Sequence, residues 1–170
     1  MEFQYKTKNE PVREYRPNSR EKQSLLDEYY RMSKQITEIP IIIGGKDVKT
    51  GNTKKCVMPH NHQHILANYH LAEREEVNKA IQNSLENWKS WSKSSIGYRT
   101  KIFRKAAELL RGKWRDIINA STMLNQSKNA FQAEIDSACE LIDFFNFNAE
   151  YAEKLNRHQP LISPEGVKNY

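Results

Sequence analysis

Residues 120–155, ASTMLNQSKNAFQAEIDSACELIDFFNFNAEYAEKL, are the longest stretch of helical character without a proline or glycine. At about 100° per residue, Ile135, Ala138, Cys139, Ile142, Phe145 and Ala149 fall on one stripe. Phe144, Phe147 and Tyr151 form a second apolar face on the far side. A helix apolar on two sides is normally sandwiched between other elements, so any fold for this chain must offer that helix a layer on each side. Asp136, Glu140 and Asp143 interrupt the second face at i, i+4 and i+7, beside Phe147 and Tyr151. Two readings of that trio stand open. It is a solvated acidic edge, or it anchors a cation such as an amino-acid ammonium against an apolar wall.

The rest of the chain supplies the layers. Residues 1–16 read as a polar extended arm ending at Pro17. Asn18 or Ser19 can cap a helix that carries Leu25, Leu26, Tyr29, Tyr30 and Met32 to about Lys34. Residues 35–38 return to extended chain before Pro40. Ile41-Ile42-Ile43, Gly44-Gly45 and the returning residues 46–49 spell a hairpin. Residues 54–58 and 64–70 give two more strands, for one small antiparallel ribbon over about 40–70. From Ala72 the pattern is helical: 73–92 with Val77, Ile81, Leu85, Trp88 and Trp91, then 96 to about 123 with Ile102, Phe103, Ala106, Leu109, Leu110, Trp114, Ile117 and Ile118 facing inward. Gly112 predicts a slight bend or close packing in that helix. After a polar break at 125–128 comes the organising helix, which must end before Pro160. Residues 161–170 read as strand or loop.

The fold class is therefore α+β: arm and helix over 1–38, antiparallel ribbon over 39–71, three long helices over 72–160, and a tail over 161–170. Net charge is +6, yet the lysines and arginines are interleaved with acids, which argues against a nucleic-acid-binding surface. Lys101, Arg104, Lys105, Arg111 and Arg115 do share a helical face, which is either solvated or a phosphate contact. No apolar run approaches the ~18 residues of a membrane span. MEFQYKTKNEP lacks the apolar core of a secretory signal and is too short and acidic for a good transit peptide.

Local chemistry is sparse. His60, His62 and His64 would share one strand face, able to hold a metal but with no nearby acid or cysteine to complete the set; the expectation is surface or hydrogen-bonding histidines and no metal. Gly44-Gly45 lacks the spacing of a phosphate cradle. Cys139 lies in the apolar stripe and reads as a small core residue, and its pairing with His158 has no local signature.

Four blocks carry a further likeness: NEPVREYRP, IPIIIGGKDVKTG, VMPHNHQHILANYHLA and TMLNQSKNAFQAEIDSACELIDFFNFNAEYAEKLNRHQP. In the same order, they resemble the N-terminal region of the 1-pyrroline-5-carboxylate dehydrogenases, the glutamate-semialdehyde members of the aldehyde dehydrogenase superfamily. The resemblance runs from Asn9 to Tyr170. It implies part of an aldehyde dehydrogenase fold without its Rossmann sheet core and catalytic domain, from an enzyme that oxidises L-glutamate gamma-semialdehyde to L-glutamate with NAD in proline catabolism. It also implies a homo-oligomer in the complete enzyme, its ribbon joining an oligomerisation sheet. The location implied is the mitochondrial matrix if the source is eukaryotic, otherwise the cytoplasm. The family's cysteine nucleophile, oxyanion-holding asparagine and NAD-binding segments match nothing before Tyr170, so no catalytic or cofactor residue is expected here and the chain alone is expected to be inactive.

By that resemblance Glu140, in ACELIDFF, stands where the family places a glutamate near the substrate's amino group. A helix-face acid with no ligand is the alternative. One departure is Asn125, where the family pattern has glycine, which puts the helix–helix corner in question. The rival to the enzyme reading is a non-enzymatic helical binding or assembly module derived from it.

Overall fold

The computed structural model describes residues 6–169; the first five residues of the expected arm and Tyr170 lie outside them. Residues 6–16 have no regular structure and run along the last helix. Helix α1, Arg20–Ser33, begins where the Ser19 hydroxyl accepts the Lys22 N–H, with Glu21 in its first turn suiting the helix dipole. It buries Leu25 with Tyr15 and Ala120, a small core closed by Tyr29, Met32, Met123 and Ala130.

Five short strands follow: β1 (Thr37–Ile39), β2 (Ile41–Ile43), β3 (Lys46–Val48), β4 (Thr53–Met58) and β5 (Asn61–His70). The Ile41–Val48 hairpin forms as the sequence predicts. Its two glycines take the left-handed φ values, 59° and 75°, that a tight hairpin turn demands. At Gly44 space matters as well. A Cβ there would lie 2.9 Å from Asn83 Nδ2, so the hairpin tip sits directly against the next helix.

The expected single ribbon is two sheets. Strands β4 and β5 pair antiparallel, β2 and β3 pair separately, and β1 joins β5 in parallel with Thr37 opposite Ala67. Pro40 explains the split, because it offers no N–H to continue a ladder from β1 into β2. Strand β1 escaped the sequence reading because all three of its residues are exposed, leaving no alternation to detect. Met58, Leu66 and Leu124 form the core beneath this sheet.

Helix α2, Arg74–Trp91, is capped reciprocally by Glu73 and Glu76, and Ser95 caps α3, Ile96–Arg111. The helix expected to run to about Met123 breaks. Gly112 leaves the helical region with ψ −117°, and a new helix, α4 (Arg115–Gln126), starts after a short turn. At the next corner the left-handed residue is Ser127, φ 56°, whereas Asn125 lies inside α4. The glycine-to-asparagine departure therefore puts no strain on the corner. Asn129 and Gln132 cap the final helical run in both directions. That run is α5 (Ala130–Ala133), a π-helical stretch (Glu134–Cys139) and α6 (Glu140–Arg157).

One face of the final run is buried as its apolar stripe predicts: Ala138, Cys139, Ile142 and Ala149 are all at or below 5% exposure. Phe145 stacks obliquely on Phe103 of α3, ring centres 5.8 Å apart. The far face is open, with Phe144, Tyr151 and Leu155 all more than half exposed. The inward face assigned to α3 is also a correction. Thr100 and Ala107 are its buried residues, while Ile102, Phe103 and Leu109 remain exposed. Helix α2 buries none of its residues, and its entire stripe from Val77 to Trp91 faces outward. Residues 158–169 form no helix or strand.

Candidate functional site

The three acids that share a helix face by spacing are put to different uses. Asp136 pairs with Lys128 at 2.5 Å. Asp143 accepts the Glu10 backbone N–H at 2.7 Å and the Asn9 side-chain amide at 2.8 Å. Glu140 is exposed and, among the described residues, its carboxylate has no hydrogen-bond or ion-pair partner. Phe144 stands one turn further along α6, followed by the Phe147 and Tyr151 rings with centres 6.0 Å apart. The available carboxylate thus heads an aromatic strip, an arrangement that can pair with a cation while the strip excludes water from the other side.

A buried charge cluster lies at the π-helical stretch that precedes α6. Arg115 is 3% exposed, Glu134 and Asn119 0%, and Glu10 7%. The Arg115 guanidinium donates to Glu134, to Glu10 Oε1 at 2.6 Å and to the Pro11 carbonyl at 2.7 Å. Glu134 also accepts the Arg13 N–H (2.8 Å), the Tyr15 hydroxyl (2.7 Å) and the Asn119 amide (2.7 Å). Burial pushes the Glu134 carboxyl up, but donation by Arg115, the Arg13 N–H and Tyr15 outweighs it and holds the group below its usual range. Burial and the same glutamate raise the Tyr15 phenol. The neighbouring Cys139 thiol is pushed by burial, and then by Glu134, to about 11, which makes it a poor nucleophile.

The π-helical stretch puts Glu134 into this cluster. In a plain α-helix, residues nine apart lie on opposite faces at about 100° each. Hydrogen bonds of the i→i+5 type turn less per residue, and they swing Glu134 back toward the side of Asp143. Sequence reasoning passed over this acid. A signal was present, since Glu134 precedes the buried Ala138 and Ile142 at i+4 and i+8.

A carboxyl held low in the folded state takes up protons more readily when unfolded, so it favours folding above its unfolded value, and that contribution drains as pH falls through the folded value. Donors from Lys154 and Thr7 hold Glu150, too, down at about 2. We therefore expect the urea midpoint to drop as pH falls from about 4.3, the ordinary glutamate value, toward about 2. In Glu134→Gln the drop over that window should be smaller; an equal drop would show that Glu134 plays no part.

The cationic face expected on the middle helix is split: Lys101, Lys105 and Arg111 are exposed, whereas Arg104 is half-buried and Arg115 is buried. Arg104 chelates Glu153, Arg111 donates to Glu10 at 2.7 Å, and Arg115 is buried. His60 Nδ1 meets the Ser127 hydroxyl and His64 Nε2 the Ser33 carbonyl, each at 2.8 Å, so these two histidines serve different contacts. Cys139 and His158 are not brought together; they lie at opposite ends of α6, about 28 Å of helix apart. Above α3 and α6, a groove of about 400 Å³ is lined by Trp91, Ile96, Phe103, Phe144 and Phe145. It also includes Arg99, whose Nε is buried and has no hydrogen-bond partner.

The sequence model of the aldehyde dehydrogenase family matches residues 47–170. The chain belongs to the aldehyde dehydrogenase family. Among curated relatives, a delta-1-pyrroline-5-carboxylate dehydrogenase of Agaricus bisporus is 41% identical over 162 residues, 95% of this chain. The Homo sapiens protein of that name, described as mitochondrial, is 40% identical over 96% of this chain. The chain spans about 30% of the length of the curated relatives it matches. A crystal structure of the Mycobacterium tuberculosis delta-pyrroline-5-carboxylate dehydrogenase bound with NAD superposes with a TM-score of 0.89 at 35% identity, covering 93% of this chain and 30% of that one. The α+β arrangement is thus part of the aldehyde dehydrogenase fold, and a 23%-identical Thermus thermophilus structure at TM-score 0.82 shares that fold.

Proposed function

We propose that these residues form the N-terminal layer of an NAD-dependent dehydrogenase that oxidises L-glutamate gamma-semialdehyde to L-glutamate in proline catabolism. The observation that carries this reading is likeness across nearly the whole chain to the two curated relatives named above, which bear the name of one enzyme. The geometry supports it in two ways. Glu140 is unpaired and borders an aromatic strip, as a residue that receives a substrate ammonium requires. The open faces of α2 and α6 and the unmatched Arg99 Nε have the character of surfaces that further segments of such an enzyme cover.

On this reading Glu140 orients the amino end of the semialdehyde. The cysteine nucleophile, the oxyanion-holding asparagine and the NAD-binding groups belong to segments that the relatives carry in the rest of their length. The complete enzyme is a homo-oligomer, and the names of the eukaryotic relatives favour the mitochondrial matrix. The test is NADH formation from glutamate semialdehyde and NAD. The isolated chain should give none, and turnover by it would refute the assignment of the nucleophile elsewhere.

A second reading, a helical assembly module without activity, draws on the outward stripe of α2. Size-exclusion chromatography with a full-length relative separates the two: a stable complex with the intact enzyme favours the module, and its absence favours the enzyme layer.

A further inference from the structure

The arm is held in an unusual way. Among the described residues, 6–15 make no backbone–backbone hydrogen bond. Their backbone groups meet side chains of the helices instead: Thr7 N–H donates to Glu150 at 2.7 Å, Glu10 N–H to Asp143 at 2.7 Å and Arg13 N–H to Glu134 at 2.8 Å, while the Pro11 carbonyl accepts from Arg115 at 2.7 Å. The three acceptor carboxylates line the last helical run in reverse order to the arm. Three residues of extended chain cover about 10 Å, and the seven helical residues from Asp143 to Glu150 cover about the same. Between Glu134 and Asp143 the separation is nine, and the π-helical stretch absorbs the mismatch.

The arm's apolar contribution to this contact is concentrated at its end, where Tyr15 packs with Leu25 and Ala120. Tyr15 is the arm's buried apolar residue, and Val12 is nearly half exposed. The arm also ends in a strained corner. Tyr15, at φ 49°, and Asn18, at φ 62°, hold left-handed conformations on either side of Pro17. A segment joined to the body by side-chain contacts, with strain stored at its hinge, can leave without breaking any sheet or helix ladder.

We propose that residues 6–16 are a latch that opens as a unit while the helices stay folded, and that its closure holds residues 134–139 in their π-helical turn. Opening removes the donors of Arg13 and Tyr15 from Glu134 and the partner Glu10 from Arg115. It also uncovers Cys139, whose sulfur lies 3.8 Å from the Pro11 carbonyl and which is 5% exposed when the latch is shut.

Cys139 is therefore a reporter within the full chain. In a Cys56→Ser background, which leaves it the sole thiol, labelling by a thiol reagent in dilute urea should proceed at a rate less steeply dependent on urea than global unfolding. Glu10→Gln, which weakens the contact to Arg115, should speed labelling about tenfold, the effect of one charge-assisted hydrogen bond. Thr7→Pro, which deletes the donor to Glu150 at the far end of the arm from Arg115, should speed it by a smaller factor. Amide exchange of segments 6–16 and 134–139 should accelerate together in both variants, ahead of 142–155. The proposal is overturned if Cys139 labels only with the urea dependence of global unfolding, or if neither variant changes its rate while leaving the chain folded.

Discussion

Arg115→Met should destabilise the chain by about 3–5 kcal/mol, because it leaves Glu134 and Glu10 buried without their cation. Against a typical total of about 5–15 kcal/mol, that removes much or all of the folded population. The loss is the penalty of the orphaned acids and does not measure what the ion cluster contributes as a whole. A triple variant, Arg115→Met with Glu10→Gln and Glu134→Gln, removes the charges together and should recover a substantial part of the lost stability. Urea unfolding followed by circular dichroism measures both. A single variant as stable as the parent would mean that the cluster is already compensated by water.

Glu140→Ala in a complete enzyme should raise KM for glutamate semialdehyde about tenfold or more. That is the effect of losing one hydrogen bond between charged groups, about 1.5–3 kcal/mol. Simple aldehydes, which carry no ammonium, should keep their KM. The contrast matters because Glu140 is solvent-exposed in the chain as it stands, and an exposed acid can be lost at little cost to folding. Equal losses for both substrate types would remove Glu140 from the amino-group contact and leave it a solvated helix acid.

Local chemistry made much of the fold legible. Ser19, one of the two residues expected to cap the first helix, does so, and Gly44-Gly45 turns the hairpin. The apolar stripe through Ala138 and Ile142 marks the buried side of the last helix. Periodicity could not tell which stripes find a partner. Val77 through Trp91 and Ile102 through Leu109 have the same spacing as a core stripe, yet they are exposed, because spacing records what a face is made for and not what covers it.

Apart from the spacing that placed Glu134 on the buried stripe, the buried cluster was illegible for a different reason. Its members, Glu10, Tyr15, Arg115, Asn119 and Glu134, come from three separate segments, and charge argued for solvent at Glu10, Arg115 and Glu134. Only the tertiary meeting of arm, α4 and π-helical turn shows that they satisfy one another. Gly112 shows a similar limit. The sequence marks it as a weak point in a helix, but the break follows from α3 packing on α6 while α4 packs on α1.

The most direct measurement is NADH formation by a chimera in which residues 9–170 replace the matching N-terminal portion of a relative such as the Agaricus bisporus enzyme. A layer built for that enzyme, its open α2 and α6 faces covered by the remaining segments, should yield a folded chimera that oxidises glutamate semialdehyde with NAD. A folded, NAD-binding chimera with no turnover of that substrate would contradict it.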